Sequence, residues 1–344
     1  MSEGRVERPS LFLGPDDSRV PNSLTPALAL AGMEDATDNS AADQPLTPAF
    51  ADRLVAAVEQ KRSQLVVGLD PRLDLLPLEL RGEAQHSPAG VADAFSRFCR
   101  GIIDAVAPYV VGVKPQLAFF ELYGSDGMRA LEDVCAHAHD AGLLVIADGK
   151  RGDIGSTARA YAGAYLEPRG LHPPLADALT VNPYLGRDAI EPFLLAGQRQ
   201  GGGVFVLLKT SNPGSADLQD AILSDGSPLW HQLALLLQEP AETLVGTSGL
   251  SGLGVVVGAT YPRAISEARR LLPRSIILLP GVGAQGATPA DVARAFTSGP
   301  ASAVVNVSRS VIFAYRAEEG LDWRDAAGTE AARLRDEIWA VSGW

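Results

Sequence analysis

Short apolar runs alternate with stretches of helical periodicity along most of this chain. Each run is followed by a polar loop and then by a segment whose apolar residues recur at the spacing of a helix face. Continuous apolar runs of this length are typical of strands buried on both faces of a parallel sheet. The predicted strands are Leu65–Leu69, Tyr109–Val113, Leu143–Ala147, Ala178–Val181, Gly203–Leu208, Leu253–Val257, Ile276–Leu279 and Ala303–Val307.

The segments between the strands predict amphipathic helices. Thr47 is placed to cap a first helix that has Pro48 at its first position. Ser125 is the predicted cap of a later helix, which Gly142 ends. Other predicted helical stretches include Val91–Val106, Met128–Ala138 and a last helix over about Asp322–Ala340.

Eight repeated strand–helix units predict a (β/α)8 barrel, a fold that typically takes about 250 residues. We expect one barrel domain over residues 46–344, with the last helix packed on its outside. A doubly wound open sheet is the alternative, but it needs a glycine-rich phosphate loop after the first strand. The sequence there is Asp70-Pro71-Arg72, which does not fit. Residues 1–45 are rich in Pro, Asp, Ser and Asn without periodicity, which predicts a flexible extension.

Composition narrows the functional classes. The formal net charge is −12, which argues against a nucleic-acid partner because phosphate backbones need basic surface. An anionic small molecule remains compatible with this charge if donors cluster locally. The two cysteines, Cys99 and Cys135, fall in apolar helical patterns and are expected to be buried rather than metal-bound or paired.

No apolar stretch approaches the roughly 20 residues that a membrane-spanning helix needs. The apolar segment Ala27–Gly32 is too short for a signal peptide and has acidic neighbours. We therefore expect no membrane partner and a cytoplasmic location.

Polar and charged residues follow the apolar strands at the positions where a barrel gathers side chains into one mouth. They are Asp70, Lys114, Asp148, Lys150, Asp153, Asn182, Ser211, Gly281–Gln285 and Arg309. Lys114 follows one strand, and Asp148 and Lys150 follow the next, so we expect an alternating network of lysines and aspartates. Such a network keeps each ammonium protonated and each carboxylate ionised. It suits a reaction that needs a fixed proton donor beside a fixed negative charge.

The last two strands predict a phosphate site. Pro280–Gly286 is a glycine-rich loop that offers backbone N–H groups without bulky side chains, and Arg309 follows the eighth strand. Loops after the seventh and eighth strands often bind phosphate in these barrels.

These motifs resemble the orotidine 5'-phosphate decarboxylase family, in particular its longer bacterial subgroup. The resemblance covers about residues 48 to 315. The motifs that carry it are Val67-Gly-Leu-Asp70-Pro71, Val113-Lys114-Pro-Gln116, Asp148-x-Lys150-x-x-Asp153-Ile154-x-x-Thr157, Asn182-Pro-Tyr-Leu-Gly186, Lys209-Thr-Ser211-Asn-Pro-Gly214, Pro280–Gly286 and Ser308-Arg309.

The resemblance implies a carbon–carbon lyase that converts orotidine 5'-phosphate to uridine 5'-phosphate. This reaction is the last step of de novo pyrimidine nucleotide synthesis, and the family runs it without a metal or an organic cofactor. The resemblance makes Lys150 the proton donor to C6 of the pyrimidine and Asp148 the carboxylate that faces the departing carboxylate. It makes Lys114 a bridge between the network and the ribose hydroxyls, and Asp70 a ribose ligand.

The remaining roles are also implied by the resemblance. Asp153, Ile154 and Thr157 correspond to residues that reach into the site of a partner subunit, which implies a homodimer with shared active sites. Ser211 and Gln285 correspond to the pair that closes over the pyrimidine edge and the phosphate. The phosphate itself is bound by the counterparts of Gly283, Gln285 and Arg309.

One position departs from the pattern of the longer bacterial subgroup. This chain has Gly149 where the subgroup usually has Ala. We expect a packing difference there and no loss of function.

Two alternative functions remain. A sister enzyme that uses Mg²⁺ and an enediolate needs an acidic residue near the second strand, where this chain has Lys114. A catalytically silent phosphate-binding barrel is the other alternative. Lys209 and the five histidines are expected to have no catalytic role.

Overall fold

Eight parallel strands form a closed barrel in the described part of the chain. The computed structural model describes residues 47–82, 84, 87–283, 286–317 and 320–344. The predicted flexible extension over residues 1–45 lies outside these residues, as does the predicted phosphate ligand Gln285. The strands are β1 (Leu65–Leu69), β2 (Gly112–Pro115), β3 (Leu144–Arg151), β4 (Ala178–Val181), β5 (Gly203–Lys209), β6 (Ser251–Val257), β7 (Ser275–Pro280) and β8 (Ala303–Val307).

Each strand pairs in parallel with the next in chain order, and β8 pairs with β1 to close the sheet. Val67 of β1, for example, lies opposite Val113 of β2 on one side and Val307 of β8 on the other. This topology confirms the predicted (β/α)8 barrel, and it excludes the doubly wound alternative. The carboxyl ends of all eight strands therefore open at one mouth.

Helices connect the strands and surround the barrel. The α-helices described are α1 (Phe50–Lys61), α2 (Leu78–Arg81), α3 (Pro88–Val106), α4 (Leu117–Glu121), α5 (Gly124–Asp140), α6 (Gly155–Leu166), α7 (Arg187–Gln200), α8 (Ser215–Leu218), α9 (Leu229–Leu236), α10 (Gln238–Glu242), α11 (Pro262–Leu271), α12 (Arg309–Ile312) and α13 (Trp323–Ser342). Short 3₁₀ helices cover Leu73–Leu75, Pro289–Phe296 and Ala314–Arg316. None of the helices in the described residues combines the length and the apolar composition that a membrane crossing needs.

Helix α1 closes the amino-terminal end of the barrel. Its buried residues pack with the inward-facing strand residues, and the Phe50 ring meets the Phe205 ring edge-on at 5.8 Å between centroids. The larger core lies between the outer faces of the strands and the surrounding helices, and it includes Cys99 and Cys135 as free, buried thiols, as predicted. With the amino-terminal end filled, the opposite mouth is left for a site.

Two predicted helix starts are wrong. The first helix begins at Phe50 with Ala49 at its N-cap, two residues later than the Thr47-Pro48 pattern predicts. Ser125 lies inside α5, because the carbonyl of Tyr123 accepts the first helical bond, from the Gly127 N–H at 3.3 Å. The last helix is confirmed, and the Asp322 side chain caps it by accepting a bond from the Arg324 N–H.

Candidate active site

A cavity of about 990 Å³ opens at the carboxyl-terminal mouth of the barrel. Its polar wall comes from the ends of strands β1 to β5 and from the segment after β8. The structure brings six of the predicted site residues to this one cavity: Asp70, Lys114, Asp148, Lys150, Ser211 and Arg309. Asn182, another strand-end residue named from the sequence, also lines it.

Asp148 is the centre of the polar wall, and each of its carboxylate oxygens has two donors. The Lys114 ammonium and the Gln116 amide donate to Oδ2, the latter at 3.2 Å. The Lys150 ammonium donates to Oδ1 at 2.6 Å, and the Thr180 hydroxyl donates to the same oxygen at 3.0 Å. The predicted Lys-Asp-Lys arrangement is therefore present within one chain.

The network favours the charged forms of its members. Burial alone would raise the pKa of Asp148, but the two ammonium groups outweigh burial and hold that pKa well below its ordinary value. Burial would likewise lower the pKa of Lys114, but the negative charges of Asp148 and Asp70 outweigh it and raise that pKa. Asp148 and Lys114 therefore stay charged near neutral pH, and the Lys150 side chain bonds to the other oxygen of the same carboxylate.

Strand β3 extends past its predicted end. The sequence predicts that the strand stops at Ala147 and that the charges follow it, but β3 continues to Arg151 and includes Asp148 and Lys150. Its pairing with β4 is irregular between Ala147 and Arg151, and Lys150 has φ +46°. The apolar pattern could not reveal this extension, because the last strand residues are charged.

Lys114 and Lys150 differ in exposure. The Lys114 side chain is only 7% exposed, whereas the Lys150 side chain is 46% exposed. Both ammonium groups contact the same carboxylate, but Lys150 presents its own to the cavity. Both lysines line the cavity, and Lys150 is the more open of the two to a ligand.

Unpaired oxygens lie on the side of the mouth formed by β1 and β8. Asp70 Oδ1, Asn306 Oδ1 and Ser308 Oγ are buried and have no hydrogen-bond partner within the described residues. All three residues line the cavity. Because buried polar atoms are normally paired, these oxygens are available to hydroxyl or N–H groups of a ligand.

The glycine-rich loop after β7 differs from its prediction. The N–H groups of Gly283 and Gly286 donate to carbonyls of the same loop, so the prediction that the loop offers free N–H groups is wrong at these two positions. Gly283 itself does not line the cavity, although Val282 does. Arg309, at the start of α12, is exposed and lines the cavity, so its guanidinium is positioned for an anion.

Asp153, Ile154 and Thr157 are not among the cavity-lining residues of their own chain. Asp153 accepts a bond from the Ile154 N–H at 2.8 Å, the Ile154 side chain is 58% exposed, and Thr157 is exposed on α6. The structure therefore separates the two halves of the Asp148–Thr157 motif: Asp148 and Lys150 line the cavity, and Asp153, Ile154 and Thr157 do not.

Lys209 bonds to side chains of the segment that follows β5. Its buried ammonium donates to Ser215 Oγ at 3.1 Å and to Asp220 at 2.8 Å, and it lies 4.7 Å from the centroid of the Tyr261 ring. These contacts join the end of β5 to the segment that follows it. Lys209 is not among the residues that line the cavity.

Several lining residues were not singled out from the sequence. Thr180 and Asn306 are polar residues within apolar strands, and a single uncharged residue there gives little signal. Gln116 was named only as part of a motif, without a role. The connection between β5 and β6 adds an apolar wall, formed by Leu218, Leu229, Trp230, Leu233 and Leu236. That wall looks like ordinary helix core in the sequence, because its periodicity does not distinguish a cavity from a packed interior.

The fold and the cavity together define a (β/α)8-barrel protein with a charged ligand site at its carboxyl-terminal mouth. The family described as "Orotidine 5'-phosphate decarboxylase / HUMPS family" matches residues 63–321. Proteins named orotidine 5'-phosphate decarboxylase are similar over most of this chain. The one from Rhodopirellula baltica is 46% identical over 299 residues, covering 84% of this chain and 98% of that protein. The one from Deinococcus radiodurans is 43% identical over 298 residues, covering 87% and 100%.

A solved structure is similar to this chain in fold and in sequence. The structure of Leishmania donovani OMP decarboxylase superposes with a TM-score of 0.65 at 33% identity, covering 86% of this chain and 99% of that one. The chain belongs to the orotidine 5'-phosphate decarboxylase / HUMPS family, which confirms the resemblance found in its motifs.

Proposed function

We propose that this protein decarboxylates orotidine 5'-phosphate to uridine 5'-phosphate, as a carbon–carbon lyase of pyrimidine nucleotide synthesis. The observation that carries the proposal is Asp148, ionised between the Lys114 and Lys150 ammonium groups in the barrel mouth. The names of the relatives from Rhodopirellula baltica and Deinococcus radiodurans support the same reaction.

Lys150 is the proposed proton donor. When the bond between C6 and the carboxylate breaks, CO₂ leaves and the electron pair stays on C6 as a poorly delocalised carbanion. An ammonium held beside that carbon stabilises the developing charge and then transfers its proton to C6. Lys150 suits this role because its ammonium is anchored at 2.6 Å from Asp148 and is still open to the cavity.

Asp148 and Lys114 complete the proposed reacting centre. Asp148 presents a fixed negative charge where the departing carboxylate would lie, and its Oδ1 anchors the Lys150 side chain at 2.6 Å. Lys114, which is buried, neutralises part of that charge and would bridge to the ribose. Asp70, with its unpaired oxygen, would accept a bond from a ribose hydroxyl.

The opposite end of the nucleotide would lie against the segment after β8. Arg309 is the proposed phosphate ligand. The resemblance also assigns the phosphate to Gly283, whose N–H bonds within its loop, and to Gln285, which lies outside the described residues. Ser211, at the edge of the cavity, would contact the pyrimidine. Binding energy from the distant phosphate can be used to orient the pyrimidine, which raises the rate of the chemical step.

We further propose a homodimer in which Asp153, Ile154 and Thr157 contribute to the partner subunit's site. The proposal is supported by the position of these residues, which lie outside the cavity lining of their own chain and include an isoleucine with 58% exposure. Tyr184 and Leu185, after β4, are also exposed, at 74% and 49%. Asp153 would extend the charge network of the partner with a second carboxylate.

A metal-dependent sister reaction fits the site less well. Both oxygens of Asp148 already accept bonds from ammonium groups, which would repel a divalent cation placed there. In the described residues, no group of three or more His, Cys, Asp or Glu side chains is arranged to hold a metal ion.

The direct test is the loss of orotidine 5'-phosphate absorbance with purified protein. Wild-type protein should convert the substrate, and Lys150→Ala should lower kcat by at least about 10⁴-fold because it removes both the proton donor and the charge that stabilises the carbanion. Uridine 5'-phosphate should still bind the variant in calorimetry, since the ribose and phosphate contacts remain. Decarboxylation by Lys150→Ala at the wild-type rate would contradict the mechanism.

Treatment with EDTA separates this proposal from the metal-dependent alternative. We expect activity to survive extensive dialysis against EDTA, because lysine rather than a metal ion stabilises the carbanion. Activity that disappears and returns with Mg²⁺ would support the sister reaction instead. Lys114→Ala, dialysed in parallel, should remain inactive with or without Mg²⁺.

A further inference from the structure

We infer that Thr180 is a positioning residue that holds the Asp148–Lys150 pair in its working geometry. The inference rests on the proposed function, because the pair is assigned there as fixed charge and proton donor. Thr180 lies in β4 and is 2% exposed, with its hydroxyl beside β3. It touches no residue of the phosphate or ribose regions in the hydrogen bonds described.

The Thr180 hydroxyl joins the backbone of one catalytic residue to the side chain of the other. The Lys150 N–H donates to Oγ1 at 2.9 Å, and the hydroxyl donates to Asp148 Oδ1 at 3.0 Å. The direction of these two hydrogen bonds is fixed, because a backbone N–H can only donate. The hydroxyl proton is then free to point at Asp148, which accepts it as an ionised carboxylate.

The backbone at Lys150 explains why such a contact is needed. Lys150 has φ +46°, in the left-handed region that residues with a Cβ rarely adopt. The pairing of β3 with β4 is irregular at this point, so the Lys150 N–H bonds to a side chain instead. Strained conformations persist only where the surroundings fix them.

The unusual backbone in turn places the lysine. Residues two apart on a regular strand point to the same face, but their side chains run parallel rather than converging. Here the Lys150 ammonium reaches Asp148 Oδ1 at 2.6 Å, two residues earlier on the same strand. Thr180 contacts both partners of that ion pair, so losing its hydroxyl removes a constraint on the distance between ammonium and carboxylate.

The test uses three variants of the full chain, assayed by decarboxylation and by calorimetric binding of uridine 5'-phosphate. Thr180→Val keeps the shape but removes both bonds, and we expect kcat to fall roughly 10- to 100-fold, the scale of a small misplacement of a reacting group. The Kd for uridine 5'-phosphate should change by less than about threefold, because the ligand contacts remain. Thr180→Ser keeps the hydroxyl and should restore kcat to within about threefold of wild type.

Thr243→Val is the matched control, since its hydroxyl bonds to the Pro240 carbonyl outside the cavity. Thr243→Val should leave kcat unchanged.

A purely structural role for Thr180 would lower the thermal midpoint of Thr180→Val with kcat unchanged, and that result would overturn the inference. If Thr180→Val does not fold, Thr180→Ala replaces it, and equal kcat for the Ala and Ser variants would overturn the inference in the same way. A wild-type protein without decarboxylase activity would refute the proposed function instead, before any variant is compared.

Discussion

At the scale of single residues, the site depends on compensation of buried charge. Lys114 is almost fully buried, and a buried ammonium without a counterion is strongly unfavourable. Asp148 supplies that counterion, and it is itself neutralised by two cations. The charges needed for the proposed reaction are therefore also needed for the stability of the barrel mouth.

Asp148→Asn tests this dependence. The substitution leaves Lys114 buried without the carboxylate that it contacts directly, and only the Asp70 charge remains, so we expect the free energy of unfolding at pH 7 to fall by up to about 3–5 kcal/mol in urea denaturation. Glu242→Gln is the control, because it breaks an exposed pair with Arg274 and should change stability by less than about 1 kcal/mol. Equal effects of the two substitutions would contradict the role of Asp148 as a buried counterion.

The pH dependence of that difference has a defined sign. The folded pKa of Asp148 is depressed, so its contribution to stability is fully present above the pKa of an unfolded aspartate, about 3.9. The contribution is lost as pH falls below that value toward the folded pKa. The stability difference between wild type and Asp148→Asn should be level from about pH 5 to pH 7. A stability difference that decreases steadily as pH falls from about 7 to 5 would mean that the pKa of Asp148 is not depressed.

At the scale of strands and helices, the close contact between β2 and β3 limits which side chains fit. A Cβ added at Gly112 would lie 2.4 Å from the Leu144 carbonyl oxygen, which is fixed in the neighbouring strand. A Cβ at Gly149 would lie 2.7 Å from Leu117 Cδ1, which is the end of a side chain and can move. The two glycines therefore differ in what their substitution displaces.

This difference predicts opposite outcomes for two alanine substitutions. Gly149→Ala should fold with a stability within about 1 kcal/mol of wild type and with kcat within about threefold, since the repacking of Leu117 is offset by reduced freedom of the unfolded chain. Gly112→Ala should lose roughly 2–3 kcal/mol or more, because strand backbones must separate. Thermal and urea unfolding of both variants would measure this, and a more harmful Gly149→Ala would contradict it.

Strand order was predictable because each strand contains a continuous apolar run, and Leu65–Leu69, Ala178–Val181 and Ala303–Val307 match the structure. The second strand was predicted at Tyr109–Val113 but lies at Gly112–Pro115, so Lys114 is inside it rather than after it. The extension of β3 was not predictable, since a pattern of apolar residues cannot identify a strand that ends in charges. The charged centre of the site was predictable because Lys114, Asp148 and Lys150 occur together at the ends of two neighbouring apolar runs. Thr180 was not, because its function depends on a hydrogen bond to an irregular backbone that no sequence pattern encodes.

At the scale of the whole molecule, the fold places the two halves of the Asp148–Thr157 motif in different surroundings. Asp148 and Lys150 line the cavity, whereas Asp153 and Thr157 follow the end of β3 and lie outside the lining. Ile154, Tyr184 and Leu185 add exposed apolar surface near the same edge. A twofold dimer that covers this edge would place each chain's second half of the motif at the other chain's site, since a twofold interface buries the same patch on both subunits.

Mixing two inactive variants tests the shared site. Lys150→Ala lacks the proton donor of its own cavity, and Asp153→Ala lacks the carboxylate proposed for the partner's cavity. In a mixed dimer, one site carries both defects and the other carries neither. Random exchange makes half of the dimers mixed, each with one intact site of two, so activity should recover to about a quarter of the wild-type value.

The control for this recovery is a mixture of Lys150→Ala with the double variant Lys150→Ala/Asp153→Ala, in which no dimer has an intact site. Both mixtures should be exchanged under the same conditions and assayed at equal total protein. Recovery in the first mixture alone supports complementation across the interface, because neither chain can supply both groups to one cavity. If Asp153 served its own chain, both sites of every mixed dimer would stay defective, and neither mixture would gain activity.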